Sequence, residues 1–174
     1  LLKSFNALDV QAVGVDPATN VVESIEDDTV TVINDYFTEQ VAEGIREKYG
    51  QADAIVSSYT MAHIDDMVDV FKGIKTLLRD DGVLIFEVYY LGIVFDETQY
   101  DMIYHEHLSY YSLMSLVKFC GRFGMEIFDV KKTPLRSGTT RYYVRNIGQR
   151  SENVSPAVQE LLDYEKERGL DDLE

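Results

Sequence analysis

Four consecutive apolar residues, Val83-Leu84-Ile85-Phe86, stop abruptly at Glu87 and follow directly on the most regular amphipathic segment of the chain. An uninterrupted apolar run is the pattern of a strand buried on both faces. Before it, Ile64, Met67, Val68, Phe71, Ile74, Leu77 and Leu78 repeat at helical spacing. Asp65, Asp66 and Asp69 near the start of this helix and Lys75 and Arg79 near its end suit the macrodipole, and Gly82 supplies a stop. The same alternation recurs upstream. Val10 to Val15 reads as a strand halted by Asp16-Pro17, and Thr29 to Ile33 as a β-branched strand ending at Asn34-Asp35. Residues 38 to 49 read as a polar helix ending near Gly50, and Ala52 to Val56 as a third strand. Strands alternating with helices predict parallel pairing through right-handed crossovers, hence a doubly wound α/β sheet.

The second half changes character. Leu91 to Tyr111 is rich in Tyr, Asp and His and has little periodicity, so it reads as a loop too long for an ordinary connection, of the kind that is functional or disordered. Leu113, Leu116, Val117, Cys120 and Phe123 then repeat at helical spacing between Ser112, an N-cap, and Gly124. Met125 to Val130 and Thr139 to Val144 read as two strands joined through Pro134 and Gly138, and a charged helix from about Ser155 to Arg168 follows.

The bulk properties narrow the partners. The chain has 174 residues, 16 Lys+Arg against 31 Asp+Glu, and a formal charge of -15, with no local basic patch. That excess repels phosphate backbones and anionic bilayers, so neither a nucleic acid nor a membrane is expected as a partner. The single Cys120 leaves no intramolecular disulfide and fits a reducing, cytoplasmic setting. The longest apolar stretches fall far short of the ~18–20 residues a membrane span requires. Leu1-Leu2-Lys3-Ser4-Phe5 reads as the middle of an amphipathic helix, so the natural protein is expected to start further upstream.

In open α/β sheets, ligands bind beyond the carboxyl ends of the strands. Those ends carry Asp16, Asp35, Ser57-Ser58 and Glu87. Each is compatible with plain turn chemistry, but two acidic residues ending neighbouring strands also make a nucleoside-shaped slot. The densest cluster is Tyr100 to Tyr111, which contains Tyr104-His105-Glu106-His107. A metal site, a loop closed over the core and a proton-transfer site compete there. Proton transfer is preferred, because His takes and returns protons near neutral pH and Tyr supplies a donor for a developing enolate oxygen. No third and fourth metal ligand with suitable spacing is evident. His63 reads equally as a structural histidine and as a cofactor contact. Cys120 reads as core. Arg141 reads as an exposed strand charge or as an anion contact.

Five segments carry a resemblance to a known family: Val-Gly-Val-Asp-Pro-Ala (13 to 18), Asp-Tyr-Phe (35 to 37), Ala-His-Ile-Asp-Asp (62 to 66), Phe-Glu-Val-Tyr-Tyr-Leu (86 to 91) and Ile-Tyr-His-Glu-His-Leu-Ser-Tyr-Tyr-Ser-Leu (103 to 113). Together they resemble the class I S-adenosylmethionine-dependent C-methyltransferases, and within them enzymes that methylate carbon 3 of nucleotide-linked 4-keto-deoxysugars. The resemblance implies a Rossmann-like α/β sheet with helices on both faces. It also implies a first strand and Gly-rich loop that this chain lacks. Residues 1–90 would be a partial S-adenosylmethionine-binding domain and residues 91–174 the substrate-side catalytic segment and C-terminal portion. By the resemblance, Asp16 with Pro17 would hold the cofactor ribose. Asp35, with Tyr36 or Phe37, would hold the adenine, and Ser57 and Ser58 would lie by the methionine part. His107 would be the general base with Tyr104 and Glu106 as partners, while Tyr90, His105 and Arg141 would face a small nucleotide-sugar substrate. A methyltransferase with an oxygen or nitrogen acceptor, and a non-catalytic binding remnant, are the alternatives.

Overall fold

The computed structural model describes residues 5, 10–25, 30–133, 138–149 and 153–170. Leu1 to Ser4, Thr29 and Pro134, each part of an expectation above, lie outside them.

Two short strands, β1 (Val13–Val15) and β2 (Thr31–Ile33), pair in parallel with Val13 opposite Thr31 and Val15 opposite Ile33. Between them runs α1 (Thr19–Glu23), whose five residues are too few to show a helical period in the sequence. The polar helix α2 (Glu39–Tyr49) starts at Thr38, whose Oγ1 accepts from the Val41 amide, and ends at Gly50 with a φ of +85°. β3 (Ala52–Ser58) leads through a 3₁₀ turn at Met61–His63 into α3 (Met67–Leu77). The 3₁₀ turn takes up the residues just before Ile64, and Asp66 caps α3 by accepting from the Asp69 amide.

β4 (Leu78–Tyr89) is far longer than its apolar quartet and pairs in parallel with β3. It is also not buried equally on both faces. Leu84, Phe86 and Val88 are fully buried, whereas Val83, Ile85 and Tyr89 are half-buried. After β4 the expected loop is partly ordered as α4 (Leu91–Asp96) and a 3₁₀ turn at Tyr100–Met102. α5 (Leu113–Gly121), β5 (Met125–Thr133), β6 (Thr139–Asn146) and α6 (Pro156–Glu167) follow.

The second sheet has the order β3-β4-β6-β5, with β6 antiparallel to both neighbours. Parallel pairing therefore holds for β1–β2 and β3–β4 but not throughout. A connection as short as the one between β5 and β6 can join only antiparallel strands, since parallel ones need a crossover of about a dozen residues or more.

The main core joins Leu84, Phe86 and Val88 of β4 to Tyr142 and Val144 of β6, and to Phe71, Leu116, Cys120 and Leu161 on the helices. Its α5–α6 corner is fixed by Glu165, fully buried, which accepts from the Leu113 and Met114 amides at the start of α5. Those amides have no partner within the helix, so the carboxylate supplies one and complements the macrodipole. Burial pushes the Cys120 thiol up to about 12, in keeping with a core residue. A smaller cluster around Ala42, Ile45 and Leu77 packs against Val13, Val15 and Ile33 on one side and Ala52 and Ile55 on the other, so α2 bridges the two sheets. No helix among the described residues is long and apolar enough to cross a membrane.

Candidate active site

The residues singled out above fall into two groups. The first lies at the carboxyl ends of β1 and β2. The Asp16 amide donates to the Ile33 carbonyl and the Asn34 side-chain amide donates to the Asp16 carbonyl, tying the two strand ends together. Asp16 Oδ1 accepts from the Ala18 amide and Asp35 Oδ1 from the Tyr36 amide, so both carboxylates shape their own turns. Pro17 and Asp35 are exposed, and the Tyr36 ring is 71% exposed. Phe37 differs from its neighbour: its ring packs against both core clusters. These two carboxylates and the open Tyr36 ring have the chemistry to accept hydrogen bonds from ribose hydroxyls and an adenine amine and to cover a purine face, so they suit a nucleoside.

The second group gathers where β3 and β4 end. Ser57 is half-buried and Ser58 exposed at the end of β3. The next residue, Tyr59, has a φ of +59°, a left-handed conformation that bulky residues rarely adopt. Glu87 holds it there twice, because the Tyr59 amide donates to the Glu87 carbonyl and the Tyr59 hydroxyl donates to Glu87 Oε1, each over 2.8 Å. Glu87 is itself buried and also accepts from Thr133, from Thr139 and from Arg141 Nε and Nη2 at 2.9 and 2.7 Å. Burial acts to raise its pKa, but the Thr139, Tyr59 and Arg141 hydrogen bonds and the Arg141 charge outweigh that and hold the carboxyl below its ordinary range. Arg141, expected on the substrate side, is thus held against Glu87 on the neighbouring strand.

The loop carrying His107 is stitched onto the turn after β3. Leu108 and Ser109 amides donate to the Ala62 carbonyl, and the Tyr111 hydroxyl donates to the Met61 carbonyl. His107 is buried, with its ring centroid 4.2 Å from Tyr104, 4.9 Å from Tyr89, 5.0 Å from His63 and 5.9 Å from Tyr110. Its Nε2 lies 3.0 Å from the Tyr104 hydroxyl and its Nδ1 lies 2.9 Å from the Met102 carbonyl. His63, which sequence reasoning left undecided, joins the site through Nδ1, 2.7 Å from the Glu106 carbonyl. Glu106 therefore meets the cluster through its main chain, and both its side chain and His105 are exposed. No group of three or more His, Cys, Asp and Glu among the described residues could hold a metal ion.

Tyr90, expected to face the substrate, turns into the core, and its neighbour Tyr89 faces the site. Tyr90 is fully buried and belongs to the main core, where burial and the Glu165 charge push its hydroxyl far up. Tyr89, on the opposite face, lies between Tyr59 and His107. Period-two alternation from Phe86, an interior residue, assigns Tyr89 to the Glu87 face and was the signal that could have found it.

Comparison with known proteins agrees with this architecture. Residues 1–130 match the family model described as a methyltransferase domain. The chain belongs to that methyltransferase-domain family, and its fold is that of S-adenosylmethionine-dependent methyltransferases. It is 34% identical over 169 residues to the C-methyltransferase NovU of Streptomyces niveus, covering 97% of this chain and 40% of the relative's length. Among solved structures it is similar to a SAM-dependent methyltransferase from Anabaena variabilis, with a TM-score of 0.61, 11% identity, and 83% and 72% of the two chains covered. It is also similar to the magnesium protoporphyrin IX methyltransferase of Synechocystis with bound SAH, with a TM-score of 0.52, 14% identity, and 77% and 63% covered.

Proposed function

We propose that this chain is the methyl-transferring part of a C-methyltransferase acting on a nucleotide-linked 4-keto-deoxysugar in the cytoplasm, with residues 1–90 holding the cofactor and residues 91–174 serving the acceptor. The observation that carries the reading is the His107–Tyr104 hydrogen bond inside a ring of aromatic residues beside the end of β4. Similarity to a C-methyltransferase supports carbon as the acceptor. Asp16 and Pro17 take the ribose of S-adenosylmethionine, Asp35 and Tyr36 the adenine, and Ser57 and Ser58 face the methionine part. When bound, that cofactor supplies an electrophilic methyl group. His107 is the general base that removes the proton from carbon 3, which is acidified by the adjacent 4-keto group, with Tyr104 as its hydrogen-bond partner. His105 and Arg141 face the sugar nucleotide. General base action of this kind contributes about 10²–10⁴-fold, and much of the remainder comes from holding two substrates in reacting geometry.

The test is methyl transfer by the purified protein to a panel of nucleoside-diphosphate 4-keto-deoxysugars, with the position of the new methyl read by NMR. A carbon–carbon bond at carbon 3 and a loss of at least about 10²-fold in His107→Ala are expected. A methyl on oxygen or nitrogen would overturn the carbon reading, and calorimetry showing no S-adenosylmethionine binding would overturn the enzyme reading.

A further inference from the structure

A ketone oxygen can only accept hydrogen bonds, so recognising one takes a donor that is not already spent. Most polar side chains around His107 are spent. The Tyr59 hydroxyl donates to Glu87 Oε1, and Arg141 Nε and Nη2 donate to Glu87 Oε2. The Tyr110 hydroxyl donates to the Met102 carbonyl over 3.1 Å, and the Tyr104 hydroxyl lies 3.0 Å from His107 Nε2. His63 Nδ1 faces the Glu106 carbonyl, which can only accept, so Nδ1 carries the hydrogen of the neutral ring and Nε2 is left an acceptor. Tyr89 differs: its hydroxyl makes no hydrogen bond among the described residues. Its ring is nonetheless held from two sides, with its centroid 6.0 Å from that of Tyr59 and 4.9 Å from that of His107. Strand alternation turns it to the same face of β4 as Glu87, opposite Thr139 of β6, and leaves it half-buried.

We propose that Tyr89, on strand β4, is the carbonyl-recognising residue of the site and donates its hydroxyl hydrogen to the keto oxygen of the acceptor. This rests on the function proposed above and deepens it, by naming the group that orients and polarises the ketone. In the step, the C–H bond at carbon 3 breaks and its proton goes to His107. Its electron pair becomes the second carbon–carbon bond of the enolate, and the π pair of the carbonyl moves onto oxygen. Tyr89 keeps its hydrogen throughout, and its hydrogen bond strengthens as charge grows on that oxygen. The enolate pair then forms the bond from carbon 3 to the methyl group, and the carbonyl returns. A donor already fixed by its two flanking rings needs no reorganisation while the charge develops. Arg141 pairs with Glu87, so the carboxylate two residues before Tyr89 does not stand as an unbalanced charge against the enolate. Base and donor on neighbouring rings suit a substrate whose acidic C–H and carbonyl occupy adjacent carbons.

The experiment compares wild type with Tyr89→Phe, which keeps the ring and removes only the hydroxyl. Isotope-edited infrared spectra are recorded of a nucleoside-diphosphate 4-keto-deoxysugar carrying ¹³C at carbon 4, bound together with S-adenosylhomocysteine. The carbonyl band is expected at lower wavenumber in wild type than in Tyr89→Phe, a shift that loss of packing alone would not produce. Exchange of the carbon-3 hydrogen in D₂O without S-adenosylmethionine is then followed by NMR. Tyr89→Phe is expected to lose about 10²–10³-fold in rate at saturating sugar, with the KM for the sugar within a few-fold of wild type. A carbonyl band at the same position in both proteins, or exchange in Tyr89→Phe within a few-fold of wild type, would overturn the role of Tyr89 and leave His107 as the base. No exchange by wild type itself would overturn the keto-sugar reading, and the role of Tyr89 with it.

Discussion

Glu87 concentrates more of the site's polar structure than any residue of the Tyr-His-Glu-His segment. Its carboxylate gathers Tyr59, Thr133, Thr139 and Arg141, and its carbonyl takes the Tyr59 amide. Removing the side chain would leave those side-chain donors without their acceptor, while the Tyr59 amide bond to the main-chain carbonyl would remain. Glu87→Ala is therefore expected to lower stability by about 2 kcal/mol, read as a shift in denaturant midpoint. Glu87→Gln gives the pH dependence. A carboxyl whose folded-state pKa is depressed contributes stability that is present above its unfolded value, ordinarily 4.5, and lost as pH falls through the folded one. The advantage of wild type over Glu87→Gln should accordingly be constant at neutral pH and shrink below about pH 4.5. At this scale the sequence exposed the identities but not the facings. Asp16 and Asp35 were recognisable because strand ends are legible from punctuation, whereas Glu87, read as the end of its strand, lies two residues inside β4. That Tyr89 meets His107 while Tyr90 enters the core, or that Phe37 turns inward while Tyr36 stays open, depends on where each strand and turn is set against its neighbours.

Elements with many repeats of their own period were legible, and short ones were not. α3 and α5 announced themselves through apolar stripes, the acidic residues at the start of α3 and the Ser112 cap of α5, whereas α1 and α4 are too short to show a period. β4 illustrates the limit for strands, since an apolar run records that burial occurs but not how it is divided between faces. The packing of α3 on the start of α2 leads to a further expectation. A methyl at Gly73 would lie 2.9 Å from the Thr38 carbonyl oxygen and 3.1 Å from the Phe37 ring. Ala normally gains about 1 kcal/mol over Gly inside a helix. Here the obstructing oxygen belongs to the N-cap of α2 and cannot swing aside, so Gly73→Ala is expected to destabilise by about 1–3 kcal/mol. Thermal melts would check this, and a stabilised variant would show that α2 and α3 separate easily.

Across the whole molecule, a charge of -15 on 174 residues means self-repulsion that salt relieves. Raising NaCl from about 10 to about 150 mM shortens the Debye length from about 30 to about 8 Å, and the melting temperature is expected to rise with it. A falling melting temperature would show that attractive pairs such as Arg141–Glu87 and Arg145–Glu126 outweigh the repulsion. The chain spans 40% of the length of the C-methyltransferase it matches, and the described strands form two sheets bridged by α2 rather than a single continuous one. Periodicity, punctuation and charge, all properties of neighbouring residues, by themselves determined that the protein alternates strand and helix, buries an α/β core and follows its first two strands with carboxylates. Only the tertiary structure decided the antiparallel return of β6 beside β4, the joining of His63 to His107, and the choice of Tyr89 over Tyr90. Each of these depends on contacts between segments tens of residues apart or on the register that turns a side chain to one face, and local pattern carries no record of either.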